Sequence, residues 1–314
     1  MSLFDLHCDT LTRNLYPPYE QETEVLDNPR FQLSLSKVPA GAKWVQCFAV
    51  FVPDEVRGSD AIAFFDCAAA VFRQQAEKHQ DRLTPCRTFS DIESAVNSGK
   101  CAAVLTVEGG AVLAGRLERV GLLHSQGVRM MTLTWNGPNE LASGHDTSAG
   151  FTAFGREAVA EMERRNILVD VSHLNDRGFE ELLGFAQKPF VASHSNARAV
   201  CSHKRNLPDA FIKEMVSRGC LIGLNYCRAF LSDEKRGSLD DLYRHVCHFL
   251  DLGAERCLAL GSDYDGAGFH PELDSVEKSL RIRDYLISHG IPPQTAEGIM
   301  FNNAWAFFGK WMSS

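Results

Sequence analysis

The chain has 314 residues, of which 45% are hydrophobic, and its formal net charge is −8 at pH 7. A charge of this sign argues against a nucleic-acid-binding protein, which would carry a basic patch or stripe. The sequence contains no apolar run long enough to span a bilayer, so we expect neither nucleic acid nor a membrane among its partners. The first residues lack the basic and apolar regions of a secretory signal. We therefore expect a cytoplasmic protein whose ten scattered cysteines are reduced.

Eight short segments predict β-strands, and most are continuous apolar runs of the kind found in parallel strands covered on both faces. They lie at residues 2–9, 43–52, 101–108, 128–135, 167–173, 189–194, 219–226 and 257–263. Amphipathic stretches between most of them predict helices at 60–79, 151–166, 175–187, 208–218 and 239–252.

Eight alternating strand and helix units predict an α/β fold, a (β/α)8 TIM barrel formed by a single domain over residues 1–314. A doubly wound open sheet is the alternative. It is disfavoured because no G-x-G-x-x-G follows the first strand and no phosphate-binding G-x-x-x-x-G-K-[ST] occurs anywhere in the chain.

Ionisable side chains terminate five of the predicted strands, at the end of a barrel where catalytic groups lie. His7 and Asp9 are two residues apart and therefore project from one face of the first strand. Each such residue alone is readily explained as a core group, but buried ionisable groups are costly unless paired or metal-bound, so six together indicate a site. The six are His7, Asp9, Glu108, His173, His194 and Asp263.

Three imidazoles with several carboxylates suit Zn²⁺ or a similar borderline cation. Two such ions can share a bridging carboxylate and hold a hydroxide between them. A zinc site built from thiolates is not expected, because no Cys-x-x-Cys occurs.

The order of short motifs resembles the membrane (renal-type) dipeptidases, peptidase family M19 of the amidohydrolase superfamily. The motifs are HCDT, TVEGG, DVSH, SHSNARAV, KRNLPD and GSDYDG, which run from the first strand to about residue 266 and continue weakly through FNNAWAFF. The resemblance implies a zinc-dependent metallo-dipeptidase with two zinc ions per chain, in which a metal-bound hydroxide attacks the peptide bond of a dipeptide.

The resemblance also implies a role for each site residue. His7 and Asp9 would hold the first zinc, His173 and His194 the second, and Glu108 would bridge the two. Asp263 would be the general base and acid, with Asp265 as the rival for that role. Arg205 in KRNLPD would bind the free carboxylate of the substrate, where a planar guanidinium can make a bidentate contact. A solvated loop arginine is the alternative for Arg205.

One position departs from the animal members of the family, which carry a histidine after the fourth strand that is expected to contact the tetrahedral intermediate. Trp135 stands there in this chain, as in bacterial branches, and we expect it to contact the substrate. His145, ten residues further on, is expected on a surface loop, with a place in the site as the alternative, and His203 is expected to be an ordinary loop or helix residue.

Two other functions are considered. One is a different hydrolase on the same scaffold, acting on a lactone, an amide or a cyclic imide, because a fold does not settle a substrate. The other is a non-catalytic binding barrel, which the complete set of six site residues argues against. The sequence leaves a homo-oligomer open.

Overall fold

The computed structural model describes residues 1–16 and 18–312. The strands are β1 (Ser2–Asp5), β2 (Lys43–Phe51), β3 (Leu83–Pro85), β4 (Cys101–Glu108), β5 (Val128–Thr132), β6 (Leu168–Asp170), β7 (Val191–Ala192), β8 (Leu221–Leu224) and β9 (Leu258–Leu260). The α-helices are α1 (Gly58–Lys78), α2 (Phe89–Asn97), α3 (Glu118–Gln126), α4 (Ala153–Arg164), α5 (Asp176–Leu183), α6 (Asp209–Ser217), α7 (Arg228–Leu231), α8 (Leu239–Asp251), α9 (Val276–Ser279), α10 (Ile282–Ser288), α11 (Pro293–Glu297) and α12 (Asn303–Met312). A π-helical turn at Gly298–Asn302 joins α11 to α12.

Eight parallel strands close into a ring in the order β1, β2, β4, β5, β6, β7, β8 and β9, and β9 pairs back onto β1. The short β3 lies alongside the first residues of β4, before the point at which β5 joins that strand. The predicted (β/α)8 barrel is therefore confirmed. Its assignment to one domain over 1–314 stays a prediction, and that range includes Pro17, Ser313 and Ser314, which lie outside the described residues.

All eight predicted strands are present, but most are shorter at their C-terminal ends than the apolar runs indicated. The first strand ends at Asp5, so His7 and Asp9 lie in the loop that follows it. His173 and Asp263 adopt φ of 68° and 66°, a left-handed conformation that a strand cannot contain. The ends of the apolar runs therefore turn out of the ladder, and they carry the ionisable side chains with them.

The five predicted helices are confirmed as α1, α4, α5, α6 and α8. In α8, Leu242, Val246 and Phe249 form the buried stripe. Ser238 and Asp241 form a capping box at its start, in which each side chain accepts a hydrogen bond from the other residue's backbone N–H.

Two hydrophobic layers hold the barrel together. Alternate strand residues fill the interior, and α12 covers its N-terminal end, where Phe4 of β1 packs on Phe308 at 4.8 Å between ring centroids. The second layer lies between the outer face of the strands and the surrounding helices, with Phe48 of β2 against Phe72 of α1. With the lower end filled, the functional cavity lies at the C-terminal ends of the strands.

In the part of the chain that the structure describes, no helix combines the length and apolar character needed to cross a membrane. The ten cysteines are all unpaired there.

Candidate metal centre

The six strand-end residues predicted to form a site lie together at the C-terminal end of the barrel, and all are buried. Three groups of them each place their ligand atoms within 4.8 Å of one another. These groups are His7, Asp9 and Glu108; Glu108, His173 and His194; and His7, His194 and Asp263.

Glu108 lies at the centre of this arrangement, with its two carboxylate oxygens facing different histidines. Its Oε1 is 2.9 Å from Nε2 of His173, and its Oε2 is 3.5 Å from Nε2 of His7. Nε2 of His7 is also 3.5 Å from Oδ2 of Asp9. A carboxylate placed between two ligand groups in this way is suited to bridging two cations.

The Nε2 atoms of His173 and His194 face each other, and in the tautomers that their hydrogen bonds indicate neither atom carries a proton. Ser193 donates its hydroxyl proton to Asp170, so its oxygen accepts the Nδ1–H of His194 at 2.7 Å. Nδ1 of His173 donates to Oδ1 of Asn136 at 2.9 Å. Both Nε2 atoms therefore carry lone pairs, and they are only 3.0 Å apart.

Buried polar atoms without partners complete the case for a cation. Nε2 of His7 and Oδ1 of Asp9 have no hydrogen-bond partner among the described residues. Buried polar atoms without partners are costly, and a bound cation would satisfy both of them. This donor set of imidazoles and carboxylates fits zinc, so the residues present are compatible with the metal that the sequence predicted.

The pKa shifts reflect the same electrostatics. Burial and the charge of Arg205 lower the pKa of His173 to about 3, which keeps the imidazole neutral. Burial would raise the pKa of Glu108, but the charge of His7 holds it well below its usual value. Burial would lower the pKa of His7, but Asp9 and Glu108 raise it well above its usual value. The carboxylates therefore favour a positive charge at the centre of the cluster.

Buried polar residues that sequence reasoning missed hold the ligands in place. Asp170 at the end of β6 accepts hydrogen bonds from the backbone N–H groups of Ser172 and Ser193 and from the Ser193 hydroxyl. At the other side of the ring, Asp5 accepts hydrogen bonds from the backbone N–H and the hydroxyl of Ser262. Such outer contacts fix the orientation of metal ligands. The spacing of Asp5, two residues before His7, was the signal in the sequence that could have indicated its role.

Asp263 and Asp265 have different surroundings, which separates the two candidates for the proton-transfer role. Oδ1 of Asp263 is 3.9 Å from Nε2 of His7, and its Oδ2 accepts a hydrogen bond from Asn225 at 3.0 Å. Burial raises the pKa of Asp263; His7 lowers it and Glu108 raises it further. Asp265 instead accepts hydrogen bonds from Thr10 at 2.6 Å and from the backbone N–H of Gln32 at 2.7 Å. Its carboxylate therefore joins the loop after β9 to the loop between β1 and β2.

A cavity of about 610 Å³ opens above the cluster, and Asp9, Glu108, His173 and Asp263 line it. Trp135 also lines it, 4.9 Å from the ring of Phe51 and 6.4 Å from that of His173. The expectation that Trp135 contacts substrate stays a prediction, but its position in an apolar wall of the cavity is compatible with it.

The expectation for His145 is wrong, because this residue lines the cavity and its side chain is only 9% exposed. The loop after β5 folds back over the barrel, with Gly144 bridged to Leu174, and so brings the His145 ring to 5.7 Å from that of His173. Burial and the charge of Arg205 lower the pKa of His145 to about 4. His203 lines the cavity as well, and the expectation that it is an ordinary residue stays a prediction.

Arg205 is buried behind the cavity wall, so the alternative of a solvated loop arginine is wrong. Its Nη1 donates to Oγ of Ser195 and its Nη2 to the carbonyl of His194, both at 3.0 Å. Its Nε has no partner among the described residues. The guanidinium also lies over the ring of Phe230, 5.8 Å from the centroid.

Solved structures with the same fold include two metallopeptidases. A metallopeptidase from Rhodobacter sphaeroides, liganded with a phosphinate mimic of the dipeptide L-Ala-D-Ala, superposes with a TM-score of 0.91 at 26% identity, covering 98% of each chain. Dipeptidase AC, a metallopeptidase of family M19, superposes with a TM-score of 0.93 at 26% identity, covering 100% of this chain and 99% of its own.

Sequence relatives give the same grouping. An uncharacterized protein in the pqqA 5' region of Klebsiella pneumoniae is 30% identical over 246 residues, which are 74% of this chain and 91% of the relative. Dipeptidase 3 of Mus musculus is 24% identical over 312 residues, which are 96% of this chain and 62% of the mouse protein. The family model described as membrane dipeptidase (Peptidase family M19) matches residues 1–310. The predicted resemblance is thus confirmed, and the chain belongs to the membrane dipeptidase family, peptidase family M19.

Proposed function

We propose that this metallo-dipeptidase hydrolyses the peptide bond of free dipeptides with two zinc ions per chain. The observation that carries the proposal is the pair of ligand groups that share Glu108 at the floor of the cavity. His7 and Asp9 would hold one ion, His173 and His194 the other, and Glu108 would bridge them. When bound, such an ion pair lowers the pKa of a water molecule and polarises the peptide carbonyl.

Asp263 is proposed to move the proton during hydrolysis. Asn225 anchors one oxygen of its carboxylate, while the other faces His7 inside the site. In this position Asp263 can accept the proton of the attacking water and pass it to the departing amine. Burial raises its pKa, which suits a group that has to hold a proton for part of the cycle.

The substrate's size is proposed to be set by Arg205, which would bind the free C-terminal carboxylate of a dipeptide. Its unpartnered Nε shows that the protein does not use all of its donors. The neighbouring apolar walls formed by Trp135 and Phe230 would surround the two substrate side chains. We also propose a cytoplasmic location, which suits ten unpaired cysteines.

Replacing Arg205 by alanine is expected to lower kcat/KM for dipeptides by roughly 10- to 100-fold, the value of a charge-assisted hydrogen bond. Because Arg205 is not in any of the ligand groups, the metal content should be unchanged. Arg205→Lys is the matched variant that keeps the charge but not the planar donor geometry. Equal cleavage of tripeptides or of dipeptide C-terminal amides by the unmodified enzyme would show that Arg205 does not bind a terminal carboxylate.

The proposed function is tested by incubating the purified protein with a panel of substrates while its metal content is determined by elemental analysis. We expect hydrolysis of L,L- or L,D-dipeptides and about two zinc ions per chain. A preference for lactones, simple amides or cyclic imides over every dipeptide would favour the alternative hydrolase. Active protein without a divalent metal would contradict the proposed mechanism.

A further inference from the structure

A single long-chain cation lines the active cavity. Among the described residues that form its wall, Arg13 is the only lysine or arginine, whereas four carboxylates are present. Three of these belong to the proposed metal and proton-transfer set, namely Asp9, Glu108 and Asp263. The fourth is Asp265. Arg13 follows β1 in a short 3-10 turn at Arg13–Leu15, at the rim of the barrel.

The guanidinium of Arg13 is held in place without being used. It stacks on the ring of Tyr19, 4.4 Å from the centroid, and the ring of Phe31 packs edge-on against Tyr19 at 5.2 Å. Within residues 1–16 and 18–312, its side chain makes no ion pair and donates no hydrogen bond. A half-buried guanidinium with all of its donors unused is an available site for an anion.

Arg30 stacks on the same Tyr19 ring, 4.9 Å from the centroid, but it differs from Arg13 in two respects. Its guanidinium is paired with the carboxylate of Glu22, and it does not line the main cavity. Because Arg30 lines the recess next to Arg13, it is not a suitable control. Arg156 is the matched control, since its guanidinium also stacks on an aromatic ring, that of Phe185 at 4.8 Å, but lines neither the cavity nor the recess.

A small recess adjoins the active cavity at Arg13. It has a volume of about 130 Å³, and Tyr19, Arg30 and Gln32 form its far side. Arg13, Asp265, Gly266 and Ala267 line both spaces, so the recess continues from the cavity rim. A short side chain that extends from a bound dipeptide has room there beside the guanidinium.

Asp265 lines both spaces together with Arg13 and feels its charge, but the two side chains form no ion pair among the described residues. The oxygens of Asp265 accept hydrogen bonds from Thr10 and from the backbone N–H groups of Gln32 and Leu33. These contacts occupy both carboxylate oxygens and hold Asp265 against the loop between β1 and β2. The guanidinium therefore remains available to a group from outside the protein.

We propose that Arg13 and this recess form a subsite for an acidic side chain on the N-terminal residue of the substrate, so that dipeptides beginning with glutamate or aspartate are preferred. The inference rests on the proposed dipeptidase function and on its direction of binding. Arg205 follows β7 and Arg13 follows β1, on well-separated parts of the ring. If Arg205 binds the terminal carboxylate, the N-terminal residue extends towards Arg13.

The test compares kcat/KM for Glu-Ala with that for Gln-Ala, which has nearly the same shape without the charge. We expect the unmodified enzyme to favour Glu-Ala by about 10-fold, the lower end of the effect of a charge-assisted hydrogen bond, because Arg13 is only half-buried. Arg13→Met should reduce this ratio to near one and leave Gln-Ala and Ala-Ala unchanged. Arg156→Met should keep the preference. Thermal unfolding of each variant verifies that it is folded.

Each outcome is decisive. A Glu-Ala preference that persists in Arg13→Met, or its absence from the unmodified enzyme, overturns the subsite. A preference for Ala-Glu over Ala-Gln that depends on Arg13 overturns the assignment to the N-terminal residue. If Arg13→Met weakens Ala-Ala as strongly as Glu-Ala, Arg13 binds the terminal carboxylate instead. If no dipeptide is hydrolysed, the proposed function itself fails, which is a separate result.

Discussion

The Asp263→Asn variant is expected to turn over dipeptides about 10²- to 10⁴-fold more slowly than the unmodified enzyme while keeping both metal ions. Asparagine preserves the shape and can adopt the left-handed backbone that residue 263 requires, at φ 66°. It cannot accept and return a proton, and general acid–base groups contribute an effect of this order. Turnover and metal content should be measured on the same preparation, because loss of metal would produce the same loss of activity for a different reason.

Asp265→Asn is the matched control, since this residue is also buried and also has a positive φ. The amide can replace only part of the hydrogen bonding to Thr10, Gln32 and Leu33. We therefore expect a loss of stability of about 1–3 kcal/mol, the cost of an unsatisfied buried group, with turnover close to normal. Near-normal turnover in Asp263→Asn, combined with a large loss in Asp265→Asn, would mean that the roles of the two residues are reversed.

Glu108→Gln is expected to abolish the two-ion centre. The amide keeps the size of the side chain but removes the charge that faces His7, His173 and His194. The metal content should fall below two ions per chain. Activity should fall by more than roughly 100-fold, which is the upper value for losing a residue that orients a metal ligand without binding the metal. A chelator should likewise abolish hydrolysis in the unmodified enzyme, and added zinc should restore it.

The control for a buried glutamate is Glu163→Gln. Glu163 accepts hydrogen bonds from the backbone N–H groups of Gln187 and Lys188, belongs to none of the ligand groups and does not line the cavity. The Glu163→Gln variant should retain its metal and its activity. The melting temperature gives a second readout, because an ion that binds only the folded protein stabilises it by mass action. Chelation should lower the melting temperature of the unmodified enzyme and of Glu163→Gln, but have little effect on Glu108→Gln.

The fold and the central cluster could be predicted because both depend on local patterns. Continuous apolar runs identify parallel strands, and the ends of parallel strands in a barrel meet at one rim, so His7, Glu108, His173 and His194 had to lie near one another. Their order in the chain matched a known family. The structure adds the distances between them.

Contacts that depend on the course of a loop could not be predicted in this way. His145 has no periodic pattern around it, and its burial depends on the bridge between Gly144 and Leu174. Asp170 was hidden within an apolar strand, and its role became visible only when Ser193, directly after β7, was placed beside it. α2 was missed although Thr88 and Asp91 form a capping box, because β3 and α2 are an addition to the regular alternation of the barrel.

The packing of α12 against β1 has a consequence for how the protein is made on the ribosome. The first strand emerges early, but the aromatic side chains that pack against it at the lower end of the barrel belong to the last helix. β1 also needs β9 to complete its ladder. His7 and Asp9 are therefore synthesised well before the residues that surround them in the folded protein. Contacts of such long sequence separation form slowly. The metal centre can assemble only after β9 has been synthesised, and until then the partial barrel exposes apolar surface of the kind that promotes aggregation.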